Sequence, residues 1–584
     1  MLSPDNQGIK DTSEASSSYV RYVRVGPLLR ATEPDSATIW LELTTECCVT
    51  LDIVSCSTEA APLISSQQKL PESTGGVRNC MAHTITVGSR YYAVLHIEQL
   101  QPATWYSYRI RISTDESVIE IPSLPVQHFR TMNAPSQAEN AALRIAYGSC
   151  RKYVSPQTDA LSALGRWLRN HWEQRETAWP HLLLLIGDQI YADQPPEVMV
   201  QAYPQLKDGA HTFEEFASLY TYAWAADPDV RQALAILPTY LIFDDHEITN
   251  NWNQFPQWCA SMLASEQEQL IVDGLVAYWV YQGWGNLAQT QHTEHPLMRI
   301  MQEAHDEDVI EQLRDEIRQE VLGEVHGYWH YEIATTPPIF VMNARSERTS
   351  IFDNDDADVC APTRILSKAQ MTTLQDWIQQ HDDTVSILVS SVPIILPPII
   401  GFVEYVAGVR FLQRSMPPLR WLGRQLAHLQ QHLANRMSFD HWPAYSQTWR
   451  ELVQLLSKRQ HDIVALSGDV HFSYSIEARA SRRARMLQLV STPLENKLGV
   501  QDKQIIVRQS FLTRIWYGGL RMRMLSMLQA NDNRPIQRGM LFQNALAYVT
   551  FSPNQAGDYL VQQDYLAVVD GELQFVGRTK IPTW

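Results

Sequence analysis

The segment His181-Leu-Leu-Leu-Leu-Ile-Gly-Asp-Gln-Ile-Tyr-Ala-Asp193 combines an unbroken apolar run with polar residues that follow it directly. A short apolar run of this kind is typical of a strand that is buried on both faces. Open α/β sheets carry their binding residues just beyond the carboxyl ends of such strands. The segment therefore predicts a layered α/β fold with a polar site that begins at Gly187.

Three other segments repeat this arrangement of a strand followed by polar residues. They are Gly148-Ser-Cys-Arg151, Asp244-Asp-His-Glu247 and Gly468-Asp-Val-His471. A single Gly-Asp pair after a strand is often only a turn. Four such segments in one domain, each with a side chain that can bind a metal, indicate a shared site.

Apolar strands alternate with amphipathic helices around these segments, which is typical of an α/β domain. We assign this domain to residues 141–584. The sequence predicts strands over 143–147, 181–186, 239–243, 329–342, 385–394 and 463–466, and helices over 157–175, 212–237 and most of 266–323.

The first part of the chain has a different pattern. Short alternating segments such as Ala37–Leu43 are separated by turn residues, which predicts a β-sandwich over residues 21–132. Within it, Leu100-Gln-Pro-Ala-Thr-Trp-Tyr-Ser-Tyr108 resembles the corner segment of fibronectin type III domains. The polar residues 1–20 predict a disordered tail, and residues 133–140 predict a linker.

Composition narrows the class of protein. The length of 584 residues favours two or more domains. The net charge of −17 disfavours non-specific binding to nucleic acid. Its 7 cysteines are scattered and contain no Cys-x-x-Cys pair, so neither a disulfide scaffold nor a zinc ribbon is expected. The N-terminal residues show no signal peptide and no twin-arginine signal, so we expect a cytoplasmic location.

Two segments raise the question of membrane contact. The uncharged run over 385–403 has the length of a membrane span, but its prolines and serines favour a buried strand followed by a loop. The segment 508–527 mixes arginines with Trp516, leucines and methionines, and it could lie on a membrane surface. Packing as an ordinary amphipathic helix is the more common outcome, so surface association and the oligomeric state stay open.

In their order, the four strand-end segments resemble the motifs of the metallophosphoesterase superfamily, and in particular those of its alkaline phosphatase D (PhoD-like) branch. The superfamily opens with Asp-x-His, whereas Gly148-Ser-Cys150 matches the substitution found in this branch. The resemblance covers about residues 140–580 and implies a four-layer αββα domain behind the fibronectin III-like sandwich. It also implies a metal-dependent hydrolase of phosphate monoesters, diesters or both, which uses a water activated by two metals.

The resemblance further implies a role for each matching residue. His246 would be the acid or orienting group beside the substrate. The strand that supplies a histidine to the second metal elsewhere in the superfamily ends here in Ser390-Ser-Val-Pro393, so an oxygen-rich second site is expected. The expected metal ligands are Cys150, Tyr191 and His471 at the first metal, Asp188 between the two metals, and Asp245 and Asp469 at the second.

This set of ligands predicts two different metals. A thiolate, a phenolate, an imidazole and a carboxylate around one ion suit Fe³⁺. Carboxylates and water around the other ion suit Ca²⁺, with Mg²⁺ or Mn²⁺ as alternatives.

Three more residues are candidates for contact with a small phosphate ester. Arg151 directly follows Cys150 and is placed to bind a phosphoryl oxygen, with a structural ion pair as the alternative. Arg345 lies in a segment that resembles the Asp-Thr-Arg-Ser-x-Arg segment of the branch, with Asn343 in place of the Asp. Trp442 lies in Asp440-His-Trp-Pro-Ala-Tyr445, which resembles a segment that lines the site of the branch, with a core position as the equal alternative.

A non-catalytic binding or scaffold protein with a retained metal site is the alternative function. A degenerate site should have lost at least one expected metal ligand. All six are present, which favours the enzyme.

Overall fold

The structure is a computed structural model. It describes residues 22–56, 70, 77–113, 126–250, 252, 267–292, 295–304, 307–321, 329–353, 356–408, 440–554 and 558–582. The predicted tail over 1–20 lies outside the described residues.

The N-terminal part is a β-sandwich made of two antiparallel four-stranded sheets. The strands are β1 (Val23–Thr32), β2 (Ala37–Leu43), β3 (Cys48–Ser55), β4 (Arg78–His83), β5 (Ile85–Val87), β6 (Arg90–Ile97), β7 (Trp105–Ser113) and β8 (Gln127–Arg130). One sheet has the order β1-β2-β6-β5 and the other has the order β4-β3-β7-β8. Alternate residues such as Ile39 and Leu51 face a common core between the sheets. The hydroxyl of Tyr106 accepts a hydrogen bond from the backbone N–H of Gln101 at 2.8 Å, as in a tyrosine corner.

The rest of the chain forms two large mixed sheets. One sheet has seven strands in the order β11-β10-β9-β24-β25-β26-β22, and the other has the order β12-β13-β16-β17-β19-β18-β21-β20, with β23 beside β18. The strands β14 (Thr349–Asp353) and β15 (Asp356–Arg364) form a separate hairpin. The strands of the two sheets are β9 (Leu143–Gly148), β10 (Leu182–Ile186), β11 (Thr239–Ile242), β12 (Tyr331–Ile333), β13 (Ile339–Met342), β16 (Ser386–Ser390), β17 (Ile463–Ser467), β18 (Ser473–Arg479), β19 (Met486–Val490), β20 (Arg514–Tyr517), β21 (Leu520–Met524), β22 (Met527–Gln529), β23 (Met540–Leu541), β24 (Ala545–Pro553), β25 (Tyr559–Val569) and β26 (Glu572–Thr579).

Helices cover the outer faces of both sheets. They are α1 (Pro135–Ala138), α2 (Ala160–Asn170), α3 (Arg175–Ala178), α4 (Glu197–Ala202), α5 (Phe213–Ala225), α6 (Pro228–Ile236), α7 (Glu268–Tyr278), α8 (Gln289–His292), α9 (Pro296–Glu303), α10 (Ile310–Val321), α11 (Lys368–Gln380), α12 (Pro398–Gly408), α13 (Ser446–Lys458) and α14 (Val500–Gln509). The short helix α1 lies within the predicted linker.

Side-chain alternation shows how the layers are stacked. Val464 and Leu466 of β17 belong to the core that also contains β9, β10 and β11. Their neighbours Ile463 and Ala465 point the other way, into a second core shared with α11 and α13. The two sheets therefore face each other and carry helices outside, which is the αββα architecture expected from the sequence.

The strands that precede the polar segments run parallel within each sheet. Strands β9, β10 and β11 are parallel neighbours in one sheet. Strands β13, β16, β17 and β19 are parallel neighbours in the other. Their carboxyl ends consequently present the strand-end segments at the same edge of the molecule.

Four segments differ from the sequence-based expectations. The strand expected over 329–342 is two antiparallel strands, β12 and β13. The helix expected over 212–237 is two helices, because Asp227 caps α6 and Pro228 has no N–H with which to continue α5. The run over 385–403 begins with the expected strand, but helix α12 starts at Pro398 instead of a loop. The segment 508–527 is the end of α14 followed by the hairpin β20–β21, so it is not one amphipathic helix.

A search for membrane spans among the described helices finds none with the length and apolar character needed to cross a bilayer.

Candidate metal centre

Four of the expected metal ligands share an uncommon backbone conformation. Cys150, Asp188, Asp469 and His471 have φ angles of 56°, 53°, 68° and 58°. A non-glycine residue in this left-handed region carries a cost of about 1–3 kcal/mol, and such residues cluster at functional sites. Cys150, Asp188 and Asp469 each lie two residues beyond a strand end, and His471 lies in the connection between β17 and β18.

The ligands expected at the first metal meet in one group. The thiol of Cys150, the carboxylate of Asp188 and the imidazole of His471 have their ligand atoms within 4.8 Å of one another. The hydroxyl of Tyr191 lies 3.5 Å from Oδ2 of Asp188 and 3.3 Å from Nε2 of His471. The structure thus brings together four residues that are spread over more than 300 positions of the chain.

The acidic residues expected at the second metal adjoin this group. Asp188, Asp245 and His246 form a second group within 4.8 Å, and Asp244, Asp245 and Asp469 form a third within the same distance. Asp188 belongs to the first two groups and Asp245 to the last two. The second and third groups share Asp245 and together form one cluster. This second cluster adjoins the first group, and Asp188 lies between the two.

A buried glutamate holds two of the strand-end segments together. The carboxylate of Glu247 accepts hydrogen bonds from the backbone N–H groups of Asp188 at 2.9 Å, Gln189 at 2.6 Å and Asp244 at 2.8 Å. It also accepts one from Nε2 of Gln282 at 3.1 Å. Glu247 therefore fixes the turn after β10 relative to the turn after β11.

A serine connects the ends of β9 and β17 in the same way. The hydroxyl of Ser149 accepts the backbone N–H of Asp469 at 3.1 Å. A Cβ atom at Gly468 would lie 2.1 Å from this hydroxyl, so only glycine fits there. The close approach brings Cys150 next to Asp469, whose carbonyl oxygen lies 3.2 Å from the thiol.

His246 is oriented by an acidic residue from another turn. Its Nδ1 lies 2.7 Å from Oδ1 of Asp193, and its ring centroid lies 4.3 Å from that of Tyr191. Burial alone would lower the pKa of His246, but Asp245, Asp193 and Asp188 outweigh this effect and raise it to about 10. The geometry thus provides a proton-carrying imidazole beside the acidic clusters.

Comparison with known proteins identifies the family. A sequence model described as PhoD-like phosphatase matches residues 145–514, which is more than half of the chain. The chain belongs to the PhoD-like phosphatase family. It is accordingly a metal-dependent phosphoesterase.

The N-terminal part of this PhoD-like chain matches a second model, described as a domain of unknown function (DUF7800), over residues 21–130. Among solved structures, "Structure of PhoD" is similar with a TM-score of 0.53 and 13% identity, over 97% of this chain and 93% of that one. The purple acid phosphatase PPD1 from yellow lupin (Lupinus luteus) seeds gives a TM-score of 0.44 and 10% identity, over 94% of this chain and 73% of that one. The comparison with curated proteins gives no match.

The electrostatics of the PhoD-like site fit bound cations. Burial raises the pKa of the Cys150 thiol, the Asp188 carboxyl and the Tyr191 hydroxyl well above their usual values, and neighbouring acidic groups add to the effect. In addition, Oδ2 of Asp244 is buried without a hydrogen-bond partner among the described residues. Metal ions compensate this crowding of acids and favour their deprotonated forms.

Arg345 contacts acidic residues of the site. It is fully buried, and its Nε donates to Oδ1 of Asp244 at 2.7 Å. Its Nη1 donates to Oδ2 of Asp440 at 2.9 Å. The structure therefore gives Arg345 a positioning contact with the acids, and its contact with substrate stays a prediction.

Arg151 and Trp442 do not face the clusters. The guanidinium of Arg151 is fully buried and makes two 2.9 Å hydrogen bonds to the carboxylate of Asp159, with a third bond to the carbonyl of Ala223 at 2.6 Å. The indole of Trp442 is buried in the core and donates to Oγ of Ser390 at 3.2 Å. The structure thus places Arg151 in a structural ion pair and Trp442 in the core, and contact of either residue with substrate stays a prediction.

His441 is a site residue that the sequence analysis missed. Its Nε2 lies 2.9 Å from Oδ2 of Asp469, and its Nδ1 lies 2.9 Å from Oε1 of Glu404. It groups with Asp440 and Asp469 within 4.8 Å. An imidazole therefore adjoins the cluster for which only oxygen ligands were expected, and its only signal in the sequence was its place beside Trp442.

Proposed function

We propose that this protein hydrolyses small phosphate esters, monoesters, diesters or both, at a site that holds two metal ions. The observation that carries the proposal is the pair of adjacent clusters that share Asp188. Two-metal hydrolases require such a bridging group, because it allows the ions to approach to about 3.5–4 Å.

The donor types support two unlike ions. Cys150, Tyr191 and His471 would hold the first ion together with Asp188, and this mixture of sulfur, phenol and imidazole suits Fe³⁺. Asp245 and Asp469 would hold the second, for which their carboxylates suit Ca²⁺, Mg²⁺ or Mn²⁺. The ions, when bound, polarise phosphoryl oxygens and lower the pKa of water.

The chain itself supplies the proton for the leaving group. Nδ1 of His246 is held by Asp193 at 2.7 Å, so Nε2 is the nitrogen that would donate to the leaving oxygen. The ring stacks close to Tyr191, which fixes its plane relative to the first cluster. Glu247 supports this arrangement because it holds the turn that contains Asp188 against the turn that contains His246.

Elemental analysis and two hydrolysis assays test the proposal together. We expect about two metal ions per chain, in line with a two-metal site. We also expect turnover of p-nitrophenyl phosphate, of its bis-ester, or of both, and their ratio reports the preference for monoesters or diesters. Less than one ion per chain with no turnover of either compound would support a scaffold protein instead.

Asp188→Ala provides the matched variant. Because Asp188 lies in both clusters, we expect loss of both ions and of all turnover. Asp159→Asn is the control, since the described hydrogen bonds of this buried acid go to Arg151 and to the start of α2, so we expect a loss of stability without a loss of ions. A folded Asp188→Ala variant that keeps both ions would contradict the proposed bridge.

A further inference from the structure

His441 lies between two carboxylates from different parts of the fold. Its side chain is 12% exposed, while that of Glu404 is only 2% exposed. Glu404 belongs to α12, which packs against the turn Trp442–Ala444 that follows His441. This packing fixes the distance of 2.9 Å between Nδ1 of His441 and Oε1 of Glu404.

The contact with Glu404 determines which nitrogen of His441 can bind a cation. A carboxylate accepts hydrogen bonds, so Nδ1 must carry the proton in this pair. Nε2 lies 2.9 Å from Oδ2 of Asp469 and by the same rule donates a proton to it, so a cation that binds both atoms replaces this proton and takes the Nε2 lone pair. Histidines that bind metals usually donate their other nitrogen to a carboxylate in this way, because the contact fixes the ring and makes it a stronger ligand.

Asp440 is less suited to bind the same ion. Its Oδ2 accepts a hydrogen bond from Arg345 at 2.9 Å and lies 3.5 Å from Nη1 of Arg348. Its carboxylate is therefore neutralised by two arginines, and its Oδ1 lies 3.4 Å from Nδ1 of His441, on the side away from Nε2 and Asp469. The nitrogen and oxygen that converge at this point come from His441 and Asp469.

The end of β16 supplies no histidine to the second cluster, because the sequence there is Ser390-Ser-Val-Pro393. Strand β16 ends at Ser390, whose hydroxyl receives the indole N–H of Trp442. The same interaction anchors the segment that carries His441, one residue before Trp442. An imidazole thus reaches the second cluster from a neighbouring segment, and not from the end of β16.

We propose that His441, oriented by Glu404, is a nitrogen ligand of the second metal and shifts the preference of that site from Ca²⁺ towards a divalent transition metal such as Zn²⁺. The proposal rests on the proposed two-metal site, and it changes the ligand set expected from the sequence. Ca²⁺ binds oxygen ligands almost exclusively, whereas imidazole is a preferred ligand of Zn²⁺.

Metal titration of the metal-free protein tests the inference without reference to activity. Zn²⁺ and Ca²⁺ are titrated separately by calorimetry into the wild type, His441→Asn and Glu404→Gln. Asn keeps a donor near the position of Nδ1 but has no counterpart of Nε2, so the fold and the contact with Glu404 are retained. His461→Asn is the matched control, because His461 also lies beside an acid, with 3.7 Å between its Nδ1 and Oδ1 of Asp558.

The expected pattern is specific to one site and one metal. His441→Asn should weaken Zn²⁺ at the second site by about 100-fold or more, and Glu404→Gln should weaken it by about 10–100-fold. Ca²⁺ binding and the first metal should change by less than about threefold, which is about 0.7 kcal/mol. Visible spectra of the Co²⁺-loaded protein should also change in His441→Asn and stay unchanged in His461→Asn.

Two results would overturn the inference, and in both the affinity for metal is unchanged. Zn²⁺ affinity in His441→Asn within about threefold of the wild type, with an unchanged Co²⁺ spectrum, would show that His441 does not bind the metal. A rise in KM with unchanged metal affinity would assign His441 to the substrate instead. A wild type that binds two ions but hydrolyses no phosphate ester would refute the proposed function while leaving the ligand assignment intact.

Discussion

Glu247→Gln is the substitution that most directly tests how the site is held together. Glu247 is buried, with 1% of its surface exposed, and its two oxygens accept four hydrogen bonds. Gln has the same shape but offers only one acceptor oxygen. Its NH₂ group must therefore face donors that need an acceptor.

The cost follows from the two possible orientations of the new amide. With NH₂ towards Asp188 and Asp244, two backbone N–H groups lose their acceptor, at a cost of about 1–3 kcal/mol each. With NH₂ towards Gln189 and Gln282, the amide of Gln282 can turn and accept, so only the N–H of Gln189 is lost. The second orientation is cheaper, and it costs about 1–3 kcal/mol.

The charge of Glu247 has opposing effects on this balance. Burial raises its pKa, so the neutral amide avoids a desolvation cost. The remaining hydrogen bonds become weaker, because bonds to a charged acceptor are about twice as strong as neutral ones. We therefore expect a net loss of about 1–3 kcal/mol in the free energy of unfolding. Metal affinity should fall by about 10–100-fold, because the hydrogen bond that supports Asp188 is weaker when its acceptor is neutral.

Denaturant unfolding of the metal-free protein and calorimetric metal titration measure the two effects separately. The control is Glu311→Gln, since Glu311 pairs with Arg314 but its side chain is 73% exposed. A surface pair of this kind contributes at most about 1 kcal/mol. If Glu247→Gln matched this control in stability and kept wild-type metal affinity, the turns after β10 and β11 would be held by other contacts and our account would be refuted.

Three more substitutions give separable outcomes. His246→Ala should retain both metals and lower kcat by about 10²–10⁴-fold, as expected for loss of a general acid. Elemental analysis that shows metal loss in this variant would contradict its assignment. Arg151→Ala should cost about 3–5 kcal/mol in denaturant unfolding, because it leaves the Asp159 carboxylate buried without its partner. A raised KM with normal stability would instead indicate that Arg151 binds a phosphoryl oxygen of the substrate. Glu320→Gln should gain stability over the wild type as pH rises from about 5 to about 8. Burial and, next, Glu347 raise the pKa of Glu320 from 4.5 to about 8, so within this window the unfolded chain loses its proton first and the wild type becomes less stable. Equal unfolding midpoints for the two proteins at both ends of this window would contradict the prediction.

Much of the fold could be predicted from local patterns, because the strands next to the site are apolar runs with abrupt polar ends. The segment 181–186 is strand β10, and 463–466 lies within β17. The strands after residue 470 were not predicted. A buried polar network explains part of this difficulty: Gln563 in β25 is fully buried, donates to the hydroxyl of Tyr147 at 2.7 Å and accepts from Ser475 at 2.7 Å. Polar residues that connect two sheets interrupt the apolar pattern from which strands are recognised.

Arg151 shows why adjacency in sequence did not predict contact at the site. The left-handed φ of 56° at Cys150 turns the chain immediately after β9. The backbone N–H of Arg151 then donates to the carbonyl of Asp188 at 2.7 Å, while its side chain extends to Asp159 at the start of α2. The turn that directs the thiol into the site thus directs the next side chain away from it.

His441 shows the complementary case, in which no local pattern marks a residue that reaches the site. The described element that precedes it is the helix α12, and its two partners, Glu404 and Asp469, are 37 and 28 residues away. Each expected ligand of the first cluster could be recognised because it follows a buried strand by a few residues, and parallel strands bring their ends together. The position of His441 depends instead on the packing of α12 against the turn at Trp442. No short stretch of the sequence indicates this packing. Its effect on metal preference is therefore a property of the tertiary structure, and the titration of His441→Asn with Zn²⁺ and Ca²⁺ measures it directly.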